Sequence, residues 1–133
     1  MSGFGIRGSR FVVLAAVLSA CGGGSTTSPS TSGGSTTAVS TTTITISNNA
    51  VSPANITVPR GSQVTFVNND SRNHEMTSDP HPEHTDCPEL NQVGFLAPGQ
   101  SRQSGNLVTA RTCGYHDHQN FETKSLQGTI TIQ

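Results

Sequence analysis

The histidines of this chain are confined to one stretch of the sequence. All five lie between residues 74 and 118, and the rest of the 133 residues contains none. They are His74, His81, His84, His116 and His118. Neutral imidazole binds copper, zinc and nickel, and copper binds most tightly in the divalent series. The clustering therefore predicts a metal site built mainly from imidazole.

Two side chains close to the histidines have types that could serve such a site. Met76 follows His74 by two residues, so on a strand the two would point to the same face. Its thioether would favour Cu(I), although a methionine at this place could equally belong to the core. Asp117 separates His116 and His118 and would point away from both on a strand, either orienting a ligand or facing solvent as a turn residue.

The first twenty residues are predicted to be an export signal. Two arginines give it a positive start, and residues 11–18 form an apolar core that is too short to span a bilayer. Residues 18–21 read Leu-Ser-Ala-Cys and resemble the lipobox of bacterial lipoproteins, which implies lipidation of Cys21. Gly22, in place of an acidic residue, resembles the pattern of lipoproteins sorted to the outer membrane. We therefore expect a lipid-anchored protein of the cell envelope that faces the periplasm or the surface.

Composition sets the domain organisation. Residues 21–41 are rich in Gly, Ser and Thr and carry no charge, so they are predicted to be a flexible tether that cannot offset its chain entropy by burial. Residues 42–133 remain, enough for one small domain. The formal net charge is −1, with acidic and basic residues nearly balanced, which argues against nucleic-acid binding.

From residue 41 onward, apolar and polar residues alternate with period two. The predicted strands cover residues 43–47, 55–58, 63–67, 91–96, 101–108, 110–115 and 129–132. Turn-forming Gly, Pro, Asn and Asp separate them, and no stretch shows a 3.6-residue period of helical length. We therefore predict an all-β domain, a small sandwich with antiparallel or mixed sheets.

A resemblance to a known family is carried by three segments. It is strongest over residues 51–70, which read Val-Ser-Pro-Ala-Asn-Ile-Thr-Val-Pro-Arg-Gly-Ser-Gln-Val-Thr-Phe-Val-Asn-Asn-Asp and resemble the first half of a cupredoxin. Residues 96–101, Leu-Ala-Pro-Gly-Gln-Ser, and 128–132, Gly-Thr-Ile-Thr-Ile, resemble the later strands of that family. The resemblance implies a cupredoxin-like Greek-key β-sandwich over about residues 42–133, with copper as its cofactor. In the family the histidine after the Asn-Asp turn is a copper ligand, which implies this role for His74.

The resemblance leaves two registers open for the rest of the copper site. In one, Cys113 to His116 corresponds to the family's Cys-x-x-His, and Leu126 stands where the axial Met usually lies. That site would be of the blue-copper type, with a Cys113 thiolate. In the other register, Tyr115 takes the place of the ligand cysteine and His118 that of the ligand histidine, so the site lacks a thiolate.

The number of cysteines bears on this choice. If Cys21 carries the lipid, Cys87 and Cys113 remain, and an unpaired thiol is a liability in an oxidising compartment. A Cys87–Cys113 disulfide leaves no thiol unpaired and would contribute roughly 3–4 kcal/mol on the chain-entropy model. Cys113 as a copper ligand and both cysteines as zinc ligands are the alternatives. Cysteine parity favours the disulfide.

The expected copper site is therefore rich in histidine. Its predicted ligands are His74, His116 and His118, with His81, His84, Met76 and Cys113 as additional candidates. No arrangement of nucleophile and base is evident, so we do not expect an enzyme. We expect an anchored protein that sequesters, buffers or delivers copper, with a copper-trafficking or redox protein as its partner. The alternative is a periplasm-facing blue-copper electron carrier that uses the Cys113 thiolate.

Overall fold

Ten β-strands form in residues 38–133, the part of the chain that the structure, a computed structural model, describes. They are β1 (Val39–Ser40), β2 (Thr43–Ser47), β3 (Ala50–Ser52), β4 (Asn55–Val58), β5 (Thr65–Asn68), β6 (His74–Ser78), β7 (Gly94–Leu96), β8 (Ser101–Gln103), β9 (Arg111–Asp117) and β10 (Gln127–Ile132). Three short 3₁₀ helices accompany them in this part, at Pro88–Gln92, His118–Asn120 and Lys124–Leu126. No helix among the described residues has the length and apolar character needed to cross a membrane. The all-β prediction is confirmed.

The strands form two mixed sheets. One has the strand order β1-β4-β10-β9-β6-β7, and the other has the order β3-β2-β5-β8. β10 runs parallel to β4 and antiparallel to β9, which in turn is antiparallel to β6. The apolar faces of the two sheets enclose the core, so the domain is a β-sandwich.

The period-two alternation places the apolar side chains in the core. In β2, Ile44 and Ile46 are fully buried, whereas the threonine between them is not. Phe66 of β5 and Tyr115 of β9 join the two sheets, with their rings edge to face and centroids 5.3 Å apart. The Tyr115 hydroxyl donates a hydrogen bond of 2.9 Å to the Ala54 carbonyl. Because burial raises the pKa of Tyr115, its hydroxyl stays protonated and keeps donating.

One predicted strand is partly helical. Residues 91–96 begin inside the 3₁₀ helix Pro88–Gln92, and only Gly94–Leu96 is extended. Pro88 supplies the restricted φ that suits a helix start, and Leu90 buries its side chain in the core. A short apolar run does not distinguish a strand from such a turn, because both bury the same residues.

Other strands differ from prediction in extent. The strand predicted at 101–108 is extended only over Ser101–Gln103, and β3 and β6 are absent from the prediction. β6, with the sequence His-Glu-Met-Thr-Ser, shows little apolar alternation. It is a strand because β7 and β9 pair with it on both sides, and distant segments of the chain supply that pairing.

The predictions for the N-terminal part fall mostly outside the described residues. The export signal at residues 1–20, the lipidation of Cys21 and the tether up to residue 37 all lie there. The end of the predicted tether is partly a strand, since β1 pairs in parallel with β4. The sheet therefore begins before the predicted domain boundary at residue 42.

The two cysteines in the described part are joined in a disulfide, as predicted. Cys87 and Cys113 are both fully buried, and their Cα atoms are 5.8 Å apart, within the usual range for such a bond. The bond links the segment after β6 to β9. Because it uses the Cys113 sulfur, the alternatives of a Cys113 copper thiolate and of a zinc site with both cysteines are wrong for this structure.

Removing the bridge should destabilise the domain. The Cys87→Ala/Cys113→Ala variant should have a free energy of unfolding lower by about 3–4 kcal/mol, because the bond closes a loop with a sequence separation of 26 residues. Urea unfolding of both proteins measures the difference. As a control, thiol titration of the denatured, air-oxidised Cys21→Ser protein should find no free thiol. Two free thiols per chain would contradict the bridge.

Candidate metal centre

The candidate centre lies where two segments that follow paired strands meet. β6 and β9 are adjacent and antiparallel. The loop of residues 79–86 follows β6, and the amide of its first residue donates a 3.0 Å hydrogen bond back to β9. This loop carries His81 and His84, and the 3₁₀ helix His118–Asn120 directly follows β9. Histidines that are far apart in the sequence are therefore neighbours in space.

Three imidazoles meet here: those of His81, His84 and His118. One ring nitrogen of each lies within 4.8 Å of the nitrogens of the other two. The shortest distance, 3.0 Å, joins Nε2 of His84 to Nδ1 of His118. Nitrogens bound to one ion at about 2.0–2.1 Å lie no more than about 4 Å apart, so the three nitrogens are close to the spacing that a shared ion requires. Imidazole is a donor that suits copper, and these residues fit it.

His84 is held firmly by its own backbone and ring. Its φ of +55° lies in the left-handed region, which is uncommon for a residue other than glycine. Its amide donates to the Pro80 carbonyl at 2.7 Å, and its carbonyl accepts the Asn91 side-chain amide at 2.9 Å. Its Nδ1 donates to the Ser78 carbonyl at 2.9 Å. Because Nδ1 carries the proton, the lone pair is on Nε2, the atom that faces the other imidazoles.

The turn that carries His118 is held by the fully buried Asp117. From β6, its carboxylate accepts hydrogen bonds of 2.9 Å from the Glu75 amide and the His74 ring. From the turn, it accepts the Gln119 amide at 3.2 Å and the Asn120 side-chain amide at 2.8 Å. Burial by itself would raise the pKa of Asp117, but these hydrogen bonds outweigh burial and lower it. The expectation of a solvated turn residue is wrong, because Asp117 ties β6 to the turn.

His116 lines the centre without joining the group of three. Its Nδ1 lies 2.6 Å from Oδ1 of Asp79, and its Nε2 lies 3.4 Å from the Thr77 hydroxyl. Its ring centroid is 5.1 Å from that of His84. Asp79 can lie here because Gly114 has no side chain, since a Cβ at Gly114 would collide with the Asp79 carboxylate. The structure thus gives His116 partners of its own, although the sequence predicted it as a ligand.

The structure departs most from the sequence prediction at His74. This residue is buried in β6, where its Nδ1 donates to Asp117 and its Nε2 lies 3.4 Å from a carboxylate oxygen of Asp70. It is not part of the three-imidazole group. Its Nδ1 is taken by the hydrogen bond to Asp117, whereas its buried Nε2 has no hydrogen-bond partner and lies beside Asp70.

The remaining candidates lie in the core. Met76 and Leu126 are buried there, and Tyr115 is occupied by its contacts with Phe66 and Ala54. Cys113 is in the disulfide. The first register of the expected cupredoxin site lacks its thiolate, whereas the second, which has no thiolate and includes His118, is consistent with the three-imidazole group.

Sequence reasoning ranked His81 and His84 only as additional candidates. Their spacing of three residues in a proline-rich loop was the available signal. The loop's path, and hence its approach to His118, depends on contacts with β9 that no local pattern shows. No sequence pattern indicated that Asp79 would lie beside His116 at this centre.

The surroundings of His81 affect its charge. Desolvation lowers the pKa of His81, and the nearby imidazoles of His118, His116 and His84 lower it further. A lowered pKa keeps the ring neutral, which is the state that binds a metal. The cluster therefore favours binding of a cation other than a proton.

The sequence matches the cupredoxin-like domain family over residues 11–132. The chain belongs to this family. Family membership confirms copper as the predicted cofactor, and the three converging imidazoles are suitable donors for it. Comparison with curated proteins gave no match.

Solved structures agree with the cupredoxin-like fold. A purple cupredoxin from Nitrosopumilus maritimus is 20% identical, with a TM-score of 0.52, and the match covers 70% of this chain and 100% of that one. Oxidised plastocyanin from Dryopteris crassirhizoma is 21% identical, with a TM-score of 0.54 and coverage of 68% and 99%. A copper-containing nitrite reductase from Thermus scotoductus is 18% identical, with a TM-score of 0.50 and coverage of 68% and 22%. The predicted cupredoxin-like β-sandwich is confirmed.

Neutralising the carboxylate that holds the turn should destabilise this cupredoxin-like domain. Asp117→Asn should lower the free energy of unfolding by about 2–4 kcal/mol, because it weakens hydrogen bonds to a buried charge. Since the folded-state pKa of Asp117 is lowered, its contribution is present above about pH 4 and is lost as the pH falls through that lowered value. Urea unfolding across this pH range measures both effects. The exposed Asp86→Asn is the matched control, and equal effects of the two variants would contradict the role of Asp117.

Protons should compete with copper for the three imidazoles. The copper affinity should fall in acid, with a slope of log affinity against pH that approaches about three. Because the pKa of His81 is lowered, His81 should take up its proton at a lower pH than an ordinary histidine does. Competition titrations against a chelator at several pH values measure the slope. His81→Ala should reduce it to about two, and an unchanged slope would show that His81 is not a ligand.

Proposed function

We propose that this protein is a copper-binding envelope lipoprotein that sequesters, buffers or delivers copper, and that it is not an enzyme. The observation that carries the proposal is the convergence of His81, His84 and His118 in a cupredoxin-like domain. Imidazoles bind copper well in either oxidation state without a thiolate. Such a site is suited to holding and exchanging the ion.

In the proposed site, the three imidazoles differ in their exposure and in which nitrogen they present to the ion. His84 presents Nε2, since its Nδ1–H is spent on the Ser78 carbonyl. His118 presents Nδ1, which faces His84 at 3.0 Å. In the metal-free protein this Nδ1 donates to His84, so copper binding would move the proton to the other His118 nitrogen. His81 is the third ligand, and it is the most exposed of the three.

The alternative of a blue-copper electron carrier has less support. Plastocyanin shares the fold, but an electron carrier of this type relies on a cysteine thiolate that keeps the site rigid between oxidation states. Here the sulfur of Cys113 is bonded to Cys87. The nitrite reductase matches over 22% of its own length, so that similarity concerns one portion of a larger enzyme.

The location and partner rest on the sequence. Residues 18–21 support lipidation at Cys21, and the absence of an acidic residue at position 22 supports an outer-membrane destination. Two or three acyl chains would hold the protein durably at the membrane. We expect its partner there to be a copper-trafficking or redox protein that accepts or supplies the ion.

Copper titration of ligand variants tests the proposed site. His84→Ala and His118→Ala should each raise the dissociation constant for Cu(II) by more than about 100-fold, because each removes an imidazole donor. His116→Gln should leave it close to the wild-type value, because Asp79 and Thr77 already engage that ring. Competition with a chelator measures the constants.

The colour of the loaded protein gives a second measurement. Without a thiolate, the copper protein should be pale, with no intense visible band. An intense band that disappears in Cys113→Ser would overturn the histidine site in favour of the electron carrier. Copper binding retained in the His84→Ala/His118→Ala variant would also overturn it.

A further inference from the structure

The exposed ring of Phe121 lies flat against one of the proposed ligands. Its centroid is 4.0 Å from that of the His81 ring, and the two planes differ by 6°. Phe121 is 42% exposed, so this contact is not a consequence of core packing. Its carbonyl accepts the Gln127 side-chain amide at 2.5 Å. The exposed Phe121 ring therefore covers one face of the His81 imidazole.

The three proposed ligands are held in different ways. His84 is held by its ring, its amide and its carbonyl. His118 follows Asp117, whose carboxylate caps the turn. Within residues 38–133, the His81 ring has no hydrogen bond and rests on Phe121 and the neighbouring imidazoles. Two ligands are therefore built into the fold, and the third is positioned by stacking.

We infer that Phe121 is a positioning residue that clamps His81 on the metal, and that His81 is the ligand released when copper is passed on. This inference rests on the proposed function. Stacking restricts the rotamers of an exposed side chain and so reduces the entropy lost when its ring binds the ion. Loss of the stack frees His81 to leave.

The transfer is a ligand exchange without a change of oxidation state. With copper bound, release of the neutral His81 imidazole with its lone pair would open a position on the exposed side, which a donor atom of the acceptor would fill. No electron would be transferred. His84 and His118 would hold the ion until the acceptor supplied further donors.

The dissociation rate of copper tests the clamp. Phe121→Ala should speed the transfer of Cu(II) from the loaded protein to EDTA by about three- to tenfold, measured by stopped flow. Phe95→Ala is the matched control, because Phe95 in β7 is 44% exposed and, among the described residues, its ring stacks on none of the three histidines. Phe121→Trp should restore the slow rate and Phe121→Leu should not, since stacking needs a flat ring. A wild-type rate in Phe121→Ala, or equal rescue by Leu and Trp, overturns the inference.

A double-variant cycle shows whether Phe121 acts through His81. In the His81→Ala background, Phe121→Ala should give no further acceleration, because the residue it clamps is gone. Continued acceleration in that background overturns the inference.

The metal-free protein gives an independent readout. Diethylpyrocarbonate should modify His81 faster in Phe121→Ala than in the wild type or Phe95→Ala, as measured by mass spectrometry. Equal modification rates overturn the clamp.

These outcomes separate the clamp from the proposed function. If wild-type protein does not bind copper, or if His84→Ala and His118→Ala both keep it, the proposed function fails and the clamp fails with it. If copper binding depends on His84 and His118 while Phe121→Ala matches the wild type, the clamp alone fails.

Discussion

The buried carboxylate of Asp117 is the contact on which the arrangement of the candidate centre depends. It accepts hydrogen bonds from His74 and Glu75 at the start of β6 and from Gln119 and Asn120 in the turn after β9. A buried charge is costly unless hydrogen bonds compensate for it. The turn therefore cannot move away from β6 without leaving that charge poorly paired. Asp117, which is not one of the proposed ligands, thereby fixes the position of the His118 imidazole.

Carboxylates also divide the five histidines between two roles. His74 lies between Asp70 and Asp117 and uses Nδ1 on Asp117, and His116 faces Asp79, so each of these two rings has a carboxylate partner. The other three have no carboxylate partner among the described ion pairs, and their nitrogens face one another. Desolvation and the nearby imidazoles lower the pKa of His81, which favours the neutral ring that binds a metal. The carboxylates thus help to determine which histidines are left to face one another.

Local patterns predicted the parts of the fold that depend on local causes. The alternation at residues 43–47 and 55–58 matches β2 and β4, because a strand with one buried face repeats every two residues. Cysteine parity led to the Cys87–Cys113 bond, since an oxidising compartment disfavours a leftover thiol. Such local patterns did not predict β6. Its pairing partners lie in distant parts of the sequence, and its own residues show no clear alternation.

The sequence by itself predicted a β-sandwich, a histidine-rich copper site and a bond between Cys87 and Cys113. It could not select the ligands, because family resemblance pointed to His74 and local spacing left His81 and His84 as additional candidates. The tertiary structure decided this by folding residues 79–86 back beside β9, so that His84 meets His118 at 3.0 Å. The physical reason is that ligation requires nitrogen atoms within a few ångströms of one point. That convergence is created by backbone hydrogen bonds, a left-handed residue and a buried carboxylate, and none of these is visible in the order of residue types.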